Sequence, residues 1–281
     1  MGFFPKAFNF LLNEMNMEKT LWKYIQQVKA QSPLVHNISN FVVMNNTANA
    51  LLAVGASPIM AHAKSEVVEM VTISDSLVIN IGTLDEVWSE SMLLAANTAS
   101  QLGKPWILDP VGAGATSYRD HILKELLREK PTVIRGNASE IIALNKSNLI
   151  KTKGVDSTSQ SGEAVLAALD LHQKYGSIVC ISGETDIVIS GSQEIHLKNG
   201  HLLMTKVTGL GCSATALIGA FMAVITNKTE AVTAAMALIG VAGELAEKES
   251  NGPGSLQVKL LDKLYNITEA EFNNTLKFGI L

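Results

Sequence analysis

Apolar and polar positions follow two rhythms along this chain. Short, nearly unbroken apolar runs recur at SLVINIG (76–82), PWILDP (105–110), TVIRG (132–136) and SIVCISG (177–183). Between them, at 85–102, 118–129, 137–145 and 161–175, apolar residues return every three or four positions. The first rhythm predicts strands buried on both faces, the second amphipathic helices. Upstream, residues 17–31 predict a surface helix that buries Leu21, Tyr24, Ile25 and Val28. A helix over 46–54 follows, then PIMA as a short buried strand. Gly55 and Gly103 lie where a helix C-terminus needs a residue free to turn left-handed. DIVISG and QEIHLKNG predict a hairpin joined near Gly191–Ser192, and three helices close the chain, at about 212–226, 229–249 and 255–278.

Strands alternating with helices predict an α/β fold: a central, mostly parallel sheet with helices on both faces, in three layers. In such folds ligands sit at the carboxyl ends of the strands. No repeat or long linker divides the chain, so residues 17–281 read as a single domain. Residues 1–16 read as an extension, docked loosely or not native, with Met17 an equally good start. That extension lacks a basic start and a cleavage site, so it is not read as a signal peptide. Residues 232–246 are apolar but interrupted by Glu244, which predicts a buried helix rather than a membrane span.

Composition narrows the partners. Of 281 residues 47% are apolar and 17% charged, enough for a large core, and the net charge of −4 offers no general attraction to nucleic acid or an acidic membrane. Any phosphate site must therefore be local. The two cysteines, Cys180 and Cys212, make neither a disulfide framework nor a zinc spacing, and a reduced, cytoplasmic setting is expected.

The polar oddities gather at predicted strand ends. In 207-VTGLGCSATALIGAF-221 the turn Gly209-Leu210-Gly211-Cys212 opens an apolar helix. Unpaired N–H groups and a partial positive charge at such a start make an anion hole suited to phosphate. The same turn also reads as a tight entry to a core helix, its glycines there for packing alone. Asp109 ends a strand before Pro-Val-Gly-Ala-Gly and would suit Mg2+, directly or through water; an Asp-Pro turn is the plainer reading. In IRGNASEI, Asn137 and Glu140 have the spacing of a helix capping box and equally that of a pair facing Mg2+; Arg135 reads as a structural ion-pair partner. The segment 34–61 is rich in asparagine (37, 40, 45, 46, 49) beside Phe41, Val43 and Met44, which suits turns and caps or a small neutral aromatic ligand. His36 reads as a structural hydrogen-bonder.

In this order, PLVHNISNFVVMNNTANALLAVGASPIMA, LDPVGAGAT, IRGNASEI, ISGETD and VTGLGCSATALIGAF resemble the hydroxyethylthiazole kinase family, thiamin-salvage enzymes of the ribokinase-like superfamily, over about residues 20–275. The resemblance implies ATP- and Mg2+-dependent phosphorylation of the hydroxyl of 5-(2-hydroxyethyl)-4-methylthiazole, by a homotrimer with active sites near subunit contacts. It implies substrate contacts at Met44 and Gly209, ATP contacts at Arg119 and Ser182, and a magnesium-side cluster of Asp109, Asn137 and Glu140. Cys212 stands where most ribokinase-like kinases place an aspartate as base, and Leu210 is bulkier than the Ala or Thr expected between the glycines. The helix start is expected to lower the thiol pKa of Cys212, which then takes the substrate proton late or merely orients the hydroxyl. Two rival readings stay open: a nucleotide-dependent NAD(P)H-hydrate dehydratase on the same fold, and a non-catalytic thiazole or nucleotide sensor.

Overall fold

Residue 17, residues 20–148 and residues 160–281 are described by the computed structural model. The expected extension at 1–16 lies outside them. Helix α1 (20–31) leads into β1 (Leu34–Ile38), α2 (Met44–Ala53) and β2 (Ser57–Ile59). Next alternate α3 (Val67–Ile73), β3 (Ser76–Asn80), α4 (Glu86–Gln101), β4 (Trp106–Asp109), α5 (Ser117–Arg128), β5 (Val133–Asn137) and α6 (Ala138–Asn148). After α7 (Gln160–Tyr175) come β6 (Ile178–Ser182), β7 (Asp186–Ser190), β8 (Gln193–Leu197) and a 3-10 turn (Leu202–Lys206). The chain closes with α8 (Leu210–Val224), α9 (Lys228–Lys248), α10 (Pro253–Asn266), α11 (Glu269–Thr275) and β9 (Phe278–Ile280).

Among the described residues the strands form one nine-stranded sheet in the order β2-β1-β3-β4-β5-β6-β7-β8-β9. Pairing is parallel from β2 to β6 and antiparallel from β6 to β9. The expected three layers are present. One core joins α1, α2 and α8 to α11 to one face of the sheet; the other joins α3 to α7 to the opposite face. Helix α9 has the length and composition to cross a membrane, but most of it is buried between α8, α10 and the sheet.

Local chemistry explains most boundaries. Asp85, Thr116, Asn227 and Thr268 each accept a backbone N–H from the first turn of the helix that follows, a cap that stabilises by about 1 kcal/mol. Pro58 sits in the edge strand β2, where a missing N–H is tolerated. The expected helix over 255–278 is corrected. Thr268 and Glu271 form a capping box that starts a second helix, α11, and Phe278–Ile280 then pairs with β8 as β9. Strand β1 and helix α3 were not anticipated as elements.

Strand alternation sets out the site. On β3, β4 and β5 the face carrying α8 presents Val78, Ile107 and Val133 to the core. Two positions on, at the carboxyl ends, the same face presents Asn80, Asp109 and Arg135. On β6 it presents Cys180 and then Ser182.

Candidate active site

The polar row at these strand ends faces the beginning of α8. Gly209 caps that helix with φ +82°, a left-handed conformation that glycine adopts without strain. A Cβ there would also fall 2.4 Å from Val43 Cγ1, so no other residue fits beneath the segment before α2. Gly211 has a different reason: a Cβ on it would lie 2.6 Å from Arg135 Nη1. The two glycines thus bring the Arg135 guanidinium against the first turn of α8, beside its unpaired N–H groups. Positive charge from the side chain and from the helix end converges there.

Arg135 is half-buried, and its Nε is sealed from solvent with no hydrogen-bond partner among the described residues. Burial opposes its charge, but Asp109, Cys180, Asp186 and Glu140 outweigh that and hold its pKa above the ordinary value. Together with Ser182, Gly183, Leu210 and Gly211, Arg135 lines a cavity of about 740 Å³ that runs on to Asn199, Met204, Met236 and Gly240. That volume suits a ligand of nucleotide size.

A buried hydrogen-bond chain lies on the other side of the turn. Asn40 Nδ2 donates to Asn80 Oδ1 at 2.8 Å and to Cys212 Sγ at 3.5 Å. Asn80 Nδ2 donates to Asp109 Oδ2 at 2.7 Å, and Thr215 Oγ1 donates to the same oxygen at 2.8 Å. Burial pushes the Asp109 carboxyl up to about 6, against the pull of Arg135, Thr215 and Asn80. The expected lowering of the Cys212 thiol is reversed. Burial first, and then the charge of Asp109, push it up to about 11, with the Asn80 and Asn40 amides and Arg135 opposing. At neutral pH the residue is a thiol.

The other expected residues fall in distinct places. Asn137 and Glu140 do form a capping box: Glu140 N donates to Asn137 Oδ1 at 3.0 Å, and Asn137 N donates to Glu140 Oε2 at 2.9 Å. Glu140 Oε1 also accepts Gly112 N at 3.1 Å, which ties the loop after β4 to α6. Ser182 Oγ reaches the Gly136 carbonyl at 3.3 Å on the cavity wall. Met44 opens α2 and packs, half-buried, on the core opposite α8, so the side chain that touches Gly209 is that of Val43. Leu210 lines the cavity and also packs on the core beneath α8. His36 Nε2 lies 2.8 Å from the Ala61 carbonyl.

Arg119 is not among the residues that line the cavity. Its guanidinium donates to the carbonyls of Ile81 at 2.5 Å, Val111 at 2.9 Å and Gly82 at 2.9 Å. It staples the loops after β3 and β4 together. The arginine at the cavity is Arg135. Among the described residues no three His, Cys, Asp or Glu side chains group as a metal cage.

The hydroxyethylthiazole kinase family profile matches residues 25–270. Hydroxyethylthiazole kinase of Syntrophus aciditrophicus (strain SB) is 54% identical over 257 residues, covering 91% of this chain and 95% of the relative. The Leptothrix cholodnii protein of the same name is 52% identical over 266 residues, covering 92% and 95%. The solved hydroxyethylthiazole kinase structure from Pyrococcus horikoshii OT3 superposes with a TM-score of 0.87 at 42% identity, covering 94% of this chain and 99% of that one. Pyridoxal kinase from Staphylococcus aureus, solved with AMP-PCP and pyridoxal, gives a TM-score of 0.61 at 16% identity over 89% and 98%, a likeness of fold. The three layers are those of the ribokinase-like fold.

Proposed function

This chain belongs to the hydroxyethylthiazole kinase family, and from that footing we propose how its cleft works on the substrates. The reaction is transfer of the γ-phosphoryl group of ATP to the hydroxyl of 5-(2-hydroxyethyl)-4-methylthiazole. ATP occupies the 740 Å³ cavity, its base toward Met204 and Met236 and its phosphates toward Ser182, Arg135 and the start of α8. The alcohol approaches from the opposite side of the Gly209–Cys212 turn, from the direction of Val43, Met44 and Asn40.

The observation that carries this reading is the guanidinium of Arg135 packed on Gly211 at the helix N-terminus. In a loose phosphoryl-transfer transition state, charge spreads over the equatorial oxygens, and preset donors aimed at it supply most of the catalysis. Little is then asked of a base. A neutral Cys212 thiol suits that requirement: it orients the hydroxyl through its S–H, and the hydroxyl proton passes to an oxygen of the transferred phosphoryl group once the transfer is well advanced.

Mg2+ fits as a hydrated ion that arrives with ATP, because Asp109 and Glu140 already accept protein donors and, among the described residues, no third acidic, cysteine or histidine side chain joins them. When bound it would neutralise phosphate charge, and Asp109, Glu140 and Asn137 would hold it through water. We further propose a homotrimer with active sites near its subunit contacts, and a cytoplasmic setting, which suits the two free cysteines. The test is ATP consumption with and without the thiazole alcohol. Consumption that depends on the alcohol is expected. Tight binding of both without turnover would mark a sensor, and turnover on a hydrated nicotinamide nucleotide instead would mark the dehydratase.

A further inference from the structure

We propose that Asn80 is a positioning residue for the transfer step, acting through Asn40 on the sulfur of Cys212. This deepens the phosphoryl-transfer reading and rests on it. Asn80 ends a strand otherwise built of Ser, Leu, Val and Ile, and it is only 1% exposed. A buried amide is costly unless its polar atoms are paired, and here they are. Its Oδ1 accepts Gly82 N at 2.9 Å and Asn40 Nδ2 at 2.8 Å, and its Nδ2 donates to Asp109 at 2.7 Å. Asn40 Oδ1 accepts Val42 N at 3.1 Å.

Backbone N–H groups can only donate. Gly82 and Val42 therefore fix which end of each amide is the oxygen. Asn40 is left with only N–H to present to Cys212, which makes the sulfur an acceptor on that side. The S–H is kept off that side and is left to turn toward the alcohol. A flipped Asn40 would instead take the S–H with its oxygen and turn the thiol inward. Asn80 prevents that flip. The chain closes on itself, because Thr215 holds the Asp109 end from within α8, less than one turn past Cys212.

The experiment is a double-mutant cycle on the full-length enzyme with Asn80→Ala, Cys212→Ala and the pair, folding being checked by circular dichroism. Asn80→Ala is expected to lower kcat about tenfold, with both KM values within about threefold of wild type, and to cost less than about twofold once Cys212 is alanine. Equal losses in the two backgrounds, or a loss confined to KM, overturn the proposal. Gly82→Ala is the second variant, because a Cβ there would sit 2.7 Å from Asn40 Nδ2 and displace Asn40 while leaving Asn80 in place. It is expected to show the same dependence on Cys212 and decides the matter if Asn80→Ala does not fold. Wild-type enzyme that leaves the alcohol unphosphorylated strikes down the underlying reading as well, and the wild-type control makes that failure distinct.

Discussion

Arg135 lies within β5 and Arg119 ten residues beyond the end of β4, and they carry different loads. Arg135 continues the core-facing side of β5 past Val133 and meets the cavity; Arg119 sits in the first turn of α5 and reaches back to three carbonyls. Arg135→Met is expected to lower kcat/KM for ATP by about 10²-fold or more, as loss of a preset transition-state donor does. Arg119→Met is expected to lower stability by about 1–3 kcal/mol, read in a urea melt, because the carbonyls of Ile81, Gly82 and Val111 lose their donor. Cys212→Ala is expected to slow turnover by about 10²-fold or less, and Gly209→Val to do more damage, since the valine would be strained at positive φ and would strike Val43. With the thiol pushed up to about 11 it stays protonated through neutral pH. The ratio of wild-type to Cys212→Ala rates is therefore expected to stay constant between about pH 7 and 9, checked by kcat profiles; a ratio that rises with pH would return the thiolate to the mechanism. The GLGC turn could be read from the sequence because glycine spacing before an apolar helix is a local signal. The place of Arg135 at the cavity could not, because it depends on which face of β5 meets α8.

At the scale of elements, the buried strands and long helices were legible, since their periodicities are local. The last helix was misjudged because apolar spacing runs on through Ile267, while the break lies in polar chemistry. Thr268 and Glu271 cap each other there, a T-x-x-E signal present in the sequence. Strand β9 is three residues long, and its identity comes from pairing with β8 more than eighty residues earlier, which no local pattern reveals. The cap has a pH signature. Bonds from the Thr268 backbone first, then from Lys263 and the Thr268 hydroxyl, hold the Glu271 carboxyl down to about 2. A depressed acid stabilises the fold above its unfolded pKa and loses that contribution as pH falls through the folded value. Glu271→Gln is thus expected to be less stable than wild type by about 1 kcal/mol near neutral pH, with the gap closing between about pH 5 and 2. Thermal melts across that range check it, and a gap that widens on acidification would contradict it.

For the whole molecule, two apolar layers clamp the sheet and leave its carboxyl edge as the place where polar side chains from β3, β4, β5 and β6 meet α8. That convergence makes phosphoryl transfer a property of the fold rather than of one residue. The proposed trimer predicts a solution mass three times the 30.1 kDa of the chain, read by light scattering; a monomer would remove the subunit contacts from the site. The most direct measurement is a crystal structure with the thiazole alcohol and a non-hydrolysable ATP analogue bound. The account predicts the terminal phosphate in contact with Arg135 and the first N–H groups of α8, with the alcohol oxygen between it and Cys212. A terminal phosphate seated away from Gly211 and out of reach of Arg135 would contradict it.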